Sequence, residues 1–138
     1  MSTIEKPMKI KVKTTIHQQG GSETMELTVL GRYFEKDGAA FLKYEEALEE
    51  GTVRTIVKVT PEEALILRGG AVKMRLPFKL HKKRNGSYEM PFGTFETMTM
   101  TKRLEYSKGL IDILYDFTMQ GSPAGTYHLE ITFQEDEI

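Results

Sequence analysis

The chain has no cysteine and no tryptophan, and it has only 5 prolines in 138 residues. Without cysteine it has no disulfide, no thiolate metal site and no cysteine nucleophile. No apolar run approaches the length that spans a bilayer, and the start, MSTIEKP, lacks the apolar stretch of a signal peptide. The formal charge of -1 offers no argument for nucleic acid, because both signs are mixed along the chain. The sequence therefore predicts a cytoplasmic protein that does not associate with a membrane.

Alternation of apolar and polar residues with a period of two dominates the chain. It is clearest in residues 8–16, 25–34, 111–119 and 127–133, and this period is typical of strands with one apolar face. Short glycine-containing turns separate about 8–10 such strands, and no segment offers a helical crossover. One-sided strands in a short chain favour closure. We predict an all-β, antiparallel, up-and-down (meander) β-barrel forming one domain over residues 1–138, with frayed ends at 1–7 and 135–138.

One segment is ambiguous between helix and strand. Thr60–Glu63 has the pattern of a helix-capping box with proline at the first helical position, which predicts a short helix over residues 61–68. The alternative is a turn followed by a strand over residues 64–68. The strand is favoured because its neighbours are all strands. Residues 43–50, which also have a helix-prone composition, are predicted to be a strand end and a loop.

The C-terminal hairpin carries a prediction about its register. Folding about Gly121–Gly125 sets Phe117 beside Tyr127 and Asp116 opposite His128, which is a favourable cross-strand pair. A shift of two residues would set Asp116 against Glu130, which is a like-charge contact. Electrostatics therefore favours the first register.

Catalytic patterns are sparse. The histidines, His17, His81 and His128, lack metal-ligand spacing, and no serine lies in a nucleophile elbow. We predict no catalytic residue, no metal site and no cofactor, and we expect a protein that is not an enzyme.

Arg68 ends an apolar strand at a glycine turn, where a guanidinium either satisfies loop carbonyls or binds a carboxylate or phosphate. We predict that a small anionic or amphipathic molecule binds at the barrel mouth, with a site formed by Arg68, Lys73, Tyr88, Thr101 and Tyr115. Thr97, Thr99 and Thr101 share one strand phase, which would give one wall a stripe of hydroxyl groups if that face points inward. If side chains fill the barrel completely, there is no such site.

A local positive cluster is the basis of an alternative function. It contains Lys79, His81, Lys82, Lys83 and Arg84, and it could contact RNA or an acidic protein surface in a regulatory module. Asn85–Gly86 follows directly, so the cluster is also consistent with one arm of a polar hairpin. Nucleic acid is therefore not expected as the main partner. A second copy of the chain is a further candidate partner, because an imperfectly closed barrel leaves an edge to cover.

Three segments together resemble the YwiB-like family of uncharacterised bacterial proteins. They are Val53–Val59, Leu67–Met74 with its Arg-x-Gly-Ala-Val-Lys-Met run, and Tyr88–Gly93. The resemblance covers nearly the whole chain. It implies a calycin-type, lipocalin-like β-barrel and favours the strand over residues 64–68, but it implies no activity, cofactor or catalytic residue. Because the chain has no tryptophan, it departs from the Gly-x-Trp motif of lipocalins, and this departure argues against lipocalin-style transport.

Overall fold

The computed structural model describes residues 4–136, and these residues form ten β-strands and no helix. The strands are β1 (Lys6–Gln18), β2 (Gly21–Lys36), β3 (Ala39–Leu48), β4 (Gly51–Val59), β5 (Glu63–Gly70), β6 (Lys73–Lys79), β7 (Lys83–Met90), β8 (Gly93–Ser107), β9 (Leu110–Met119) and β10 (Ser122–Glu135). Among these residues no helix could cross a membrane.

The strands form a closed barrel in which every neighbouring pair is antiparallel. All pairs are sequential except that of β1 with β10, which closes the barrel. This confirms the predicted all-β meander barrel. The segment that was ambiguous is strand β5, so the choice of strand over helix was correct. Thr60 and Glu63 instead shape a turn, in which the Thr60 amide donates to the Glu63 carbonyl at 2.9 Å.

Alternate residues of each strand point into the barrel and form its core. The largest fully buried apolar side chains are Phe78, Ile10, Leu42, Ile111, Ile113, Ile131, Val53, Val57 and Val59. The odd-numbered residues of β9, and those of β10 from Gly125 onward, lie on this inner face, as their period of two predicts. Burial of these side chains is the main favourable contribution to folding, about 1.5–3 kcal/mol for each large one.

The predicted register of the C-terminal hairpin is wrong. Tyr127 lies opposite Tyr115 rather than Phe117, and Asp116 faces Thr126 rather than His128. The turn is shorter than predicted, because Gln120 and Gly121 both have positive φ, at 51° and 79°, and form a two-residue turn by themselves. A bulge after Pro123 then shifts the pairing by one residue. Cross-strand electrostatics did not determine the register.

Part of the predicted frayed ends belongs to the barrel. Lys6 and Pro7 already belong to β1, and Glu135 of β10 lies opposite Met8 of β1. The Asp136 amide donates to the Pro7 carbonyl at 3.0 Å, which ties the two ends together. Residues 1–3, 137 and 138 of the predicted frayed ends lie outside the described residues. Strand β3 also extends further than predicted, to Leu48.

Candidate functional site

A row of inward-pointing side chains crosses six strands near one end of the barrel. Pairing between neighbouring strands puts its members side by side, in the order Tyr44, Thr55, Arg68, Met74, Tyr88 and Phe95. We call this set the inner row. It joins a guanidinium, two phenols and a hydroxyl to thioether and aromatic surface. Two of the predicted ligand-binding residues, Arg68 and Tyr88, belong to it.

Arg68 has its own counter-ion inside the barrel. Its Nη2 donates to Glu46 Oε1 at 3.2 Å, and the two side chains are only 25% and 19% exposed. Burial raises the pKa of the Tyr44 phenol to about 12, and the nearby Glu46 carboxylate adds to the rise. The inner row is therefore close to neutral, since the charge of Arg68 is already balanced.

The hydroxyl stripe on β8 points inward. Thr97, Thr99 and Thr101 are 3%, 0% and 0% exposed. Thr99 Oγ1 donates to the Pro77 carbonyl at 2.6 Å, whereas the hydroxyls of Thr97 and Thr101 have no hydrogen-bond partner among the described residues. Burying an unpaired hydroxyl costs about 1–3 kcal/mol, so these two groups call for an explanation.

The stripe connects the inner row to an aromatic cluster deeper in the barrel. Thr97 is the next inward residue after Phe95, and Thr101 lies opposite Tyr115. The ring centroid of Tyr115 is 4.8 Å from that of Phe78 and 5.5 Å from that of Tyr127. Burial raises the pKa of Tyr115, so the phenol is neutral and can donate a hydrogen bond.

Lys73 is the one predicted ligand-binding residue that does not face the interior. It lies in β6 next to Met74 and therefore points to the outer face, where it is exposed and opposite Glu89. The structure thus brings Arg68, Tyr88, Thr101 and Tyr115 onto the inner wall and leaves Lys73 outside.

A tyrosine pair bridges the opposite end of the barrel. The hydroxyls of Tyr33 on β2 and Tyr106 on β8 are 2.5 Å apart, and Tyr33 also donates to Glu35 at 2.7 Å. Cavities of about 700 and 760 Å³ adjoin this bridge, and both are lined by Glu35 and Tyr106. Burial and these hydrogen bonds raise the pKa of Tyr33.

A polar cluster lies on the outer face of β8–β10. Arg103 donates to Asp112 Oδ1 through Nε at 3.1 Å and Nη2 at 3.0 Å, and His128 Nε2 is 3.0 Å from Asp112 Oδ2. Donor atoms of Asp112, His128 and Glu130 lie within 4.8 Å of one another, which is the geometry of a potential metal site. Arg103 already neutralises Asp112, so a cation would compete with a guanidinium there.

The predicted basic cluster is only partly free. Lys79 Nζ lies 3.3 Å from Glu62 and 3.5 Å from Glu63. His81, Lys82, Lys83 and Arg84 are exposed, with His81 in the turn between β6 and β7 at a φ of 62°.

Sequence reasoning missed Tyr44 and Glu46. Both continue the inward phase of Leu42 on β3, but the predicted strand end and loop over residues 43–50 give their side chains no defined direction. The period of two from Leu42 onward was the available signal. The Asp112–His128 contact was missed because it depends on the true register of β9 and β10.

Fold and interior together place this protein among small closed β-barrels whose inner wall carries polar and aromatic groups beside an apolar core. The chain belongs to the family described as a domain of unknown function, DUF1934, whose model matches residues 10–131. It is 35% identical over 134 residues to the uncharacterized beta-barrel protein YwiB of Bacillus subtilis, a match that covers 94% of each chain. The crystal structure of the ywiB protein from Bacillus subtilis superposes with a TM-score of 0.84 at 30% identity, covering 98% of this chain and 96% of that one. The predicted YwiB-like resemblance is confirmed.

Proposed function

We propose that the protein binds a small amphipathic molecule inside the barrel, on the wall formed by the inner row and the hydroxyl stripe. The supporting observation is the pair of buried hydroxyls on Thr97 and Thr101 that have no partner among residues 4–136. A bound molecule with hydrogen-bonding groups would satisfy them. A barrel of ten strands is also wider than the eight-stranded barrels that hold one small ligand.

The charge balance favours a neutral ligand over an anion. Arg68 is bound to Glu46 at 3.2 Å, so an anion would have to displace a partly buried carboxylate before it could use the guanidinium. A neutral molecule with hydroxyl or amide groups can accept from Tyr88 and Thr101 without breaking that pair. Its apolar part would lie against Met74 and Phe95.

Two fluorescent probes that differ in one charged group test this proposal. The neutral probe is N-phenyl-1-naphthylamine, and the anionic one is 1-anilinonaphthalene-8-sulfonate. We expect the neutral probe to bind with one-to-one stoichiometry and more tightly than the anion. Glu46→Gln releases the Arg68 guanidinium and should make the anionic probe bind more tightly than the neutral one, by about tenfold, since a charge-assisted hydrogen bond is roughly twice as strong as a neutral one.

A matched pair of substitutions locates the bound probe. Thr97→Met fills the inner wall and should abolish binding, whereas Thr94→Met, on the exposed face of the same strand, should leave it unchanged. A thermal melt checks that Thr97→Met remains folded. Binding that survives Thr97→Met in a folded protein, or that is lost only with Tyr106→Ala at the opposite end, contradicts the proposed location.

The exposed part of the basic cluster supports a second candidate function, contact with RNA or with an acidic protein surface. Lys82, Lys83 and Arg84 present positive charge without a described acidic partner, and His81 is exposed next to them in the chain. Salt-dependent retention of RNA that disappears when Lys82, Lys83 and Arg84 are changed to Gln would support it. Salt-insensitive or absent retention would contradict it.

The proposal includes a cytoplasmic, non-enzymatic protein. Homodimerisation is part of it as well, although the closed pairing of β1 with β10 removes the edge that motivated this prediction. Light scattering decides the oligomeric state, and a monomer at micromolar concentration would contradict the dimer.

A further inference from the structure

The hydrogen-bonded ladder between β6 and β7 is short. These strands pair only over Lys73–Arg75 and Ser87–Glu89, and the next bridge joins Lys79 to Lys82 in the turn. The strands still lie close together beyond the ladder, because a Cβ on Gly86 would meet the Arg75 carbonyl and the Pro77 ring. The Thr99 hydroxyl, from β8, donates to the Pro77 carbonyl at 2.6 Å. Side-chain and close backbone contacts therefore replace ladder hydrogen bonds in this part of the wall.

A pocket of about 410 Å³ lies beside this short ladder. Three cationic side chains line it from three different strands: Lys58 of β4, Arg75 of β6 and Arg84 of β7. Leu65 and Pro77 form its apolar floor, because Lys58, Leu65 and Pro77 are direct neighbours in the sheet. We call this pocket the wall cleft. Its volume is within the range of small-molecule sites.

The positive charge of the wall cleft is unbalanced. Within residues 4–136, none of its three cations lies within salt-bridge distance of an acid, although nearby Arg54 and Lys79 are paired with Glu45 and with Glu62. The acid that lines the cleft, Glu63, is held by Lys79 at 3.5 Å. Three cationic side chains therefore line a concave surface without a counter-charge.

We propose that the wall cleft binds a small anion through a phosphate or carboxylate group. Guanidinium groups bind both of these oxyanions in a bidentate manner, so Arg75 and Arg84 are the principal donors. Lys58, whose Nζ lies 5.8 Å from the centroid of the Phe41 ring, adds a third positive charge on the β4 side. Lys58 and Arg75 point outward, and Arg84, which shares the strand phase of Thr99, is exposed at the start of β7. None of the three belongs to the inner row or the hydroxyl stripe, so the two sites use different residues.

Amide-resolved NMR titration at constant ionic strength tests the proposal, with inorganic phosphate and citrate as separate probes. We expect saturable shifts centred on β6 and β7, and the probe that binds more tightly identifies the preferred oxyanion. Arg75→Gln and Arg84→Gln should each weaken binding by about tenfold, the loss expected for one charge-assisted hydrogen bond. Arg54→Gln, an outer-face control whose partner is Glu45, should leave the affinity unchanged.

Three results would overturn the proposal. Shifts that do not saturate, or that are spread over the lysines of β1, would indicate an adventitious ion only. Equal affinity of wild type, Arg75→Gln and Arg84→Gln, with matching melting temperatures, would place the anion elsewhere. Loss of anion binding only with Thr97→Met would assign it to the barrel interior. None of the cleft variants should change binding of the neutral probe in the interior, so the two sites fail independently.

Discussion

Replacing threonine by valine at two neighbouring inward positions of β8 should change stability in opposite directions. Thr99 and Thr101 are both fully buried on the same face, and valine has nearly the same shape as threonine. Thr99 donates a hydrogen bond to the Pro77 carbonyl at 2.6 Å, whereas the Thr101 hydroxyl has no described partner. The two substitutions therefore remove the same group from different hydrogen-bonding situations.

The expected magnitudes follow from this difference. Thr99→Val loses one hydrogen bond and leaves a carbonyl without it, which should lower the free energy of unfolding by about 1 kcal/mol. Thr101→Val removes an unsatisfied hydroxyl and should raise the free energy of unfolding by about 1 kcal/mol, since the penalty for burying that hydroxyl is about 1–3 kcal/mol. The two variants should therefore differ by about 2 kcal/mol.

Urea unfolding of protein refolded without ligand measures this difference, with the slope of the transition as a check that both variants unfold alike. The ligand-free state matters, because a bound molecule would satisfy the Thr101 hydroxyl and reverse the sign. If Thr101→Val is as destabilising as Thr99→Val, the Thr101 hydroxyl has a partner in the free protein. No bound molecule would then be needed to satisfy that hydroxyl, which would contradict the proposed interior ligand.

Three further changes should have measurable effects. Gly86→Ala should lower the free energy of unfolding by about 1–3 kcal/mol, because a Cβ there meets a β6 carbonyl and the Thr97 hydroxyl. Gly69→Ala is the control, since a Cβ there has open space and should be tolerated. Equal urea midpoints for the two variants would contradict this prediction. The pKa of Tyr44 is about 12 in the folded protein, against 10.0 for an unperturbed tyrosine. Between these pH values the free energy of unfolding should fall by about 1.4 kcal/mol per pH unit because of this group, since Tyr44 loses its proton at lower pH in the unfolded chain than in the folded one. Unfolding followed from pH 9 to 12 should be less steep in Tyr44→Phe, and an unchanged slope would refute the shift. Asp112→Asn should lower the free energy of unfolding, measured with urea at pH 7, by about 1–3 kcal/mol, since it weakens hydrogen bonds to the guanidinium of Arg103 and the imidazole of His128. An unchanged free energy would show that the outer polar cluster contributes nothing to stability.

The barrel could be predicted from the sequence because the period of two shows which residues of a strand share a face. The apolar phase of Ile111 follows from that period, whereas the sequence alone leaves open whether the phase of Thr101 points inward. The strand identity of β5 follows from its neighbours, which are all strands. The register of β10 could not be predicted, because a bulge after Pro123 depends on how the turn fits both strands. The counter-ion of Arg68 was hidden for a related reason, since Glu46 lies two strands away and its direction depends on how far β3 continues.

Pockets on the wall could not be predicted at all. The wall cleft lies where the ladder between β6 and β7 ends after three paired positions, and nothing in the local pattern of residues 73–90 marks that end. Pro77 and Gly86 are consistent with it, since proline lacks an N–H for a ladder and glycine permits close approach. Neither residue locates the cleft without the structure.

Native mass spectrometry of the protein isolated from its own cells tests the central claim most directly. We predict that the wild-type protein carries a small neutral molecule with one-to-one stoichiometry, and that folded Thr97→Met from the same cells does not. Wild-type protein that appears only at the mass of the bare chain, or a ligand that Thr97→Met retains equally, would contradict the account of the barrel interior as a binding site.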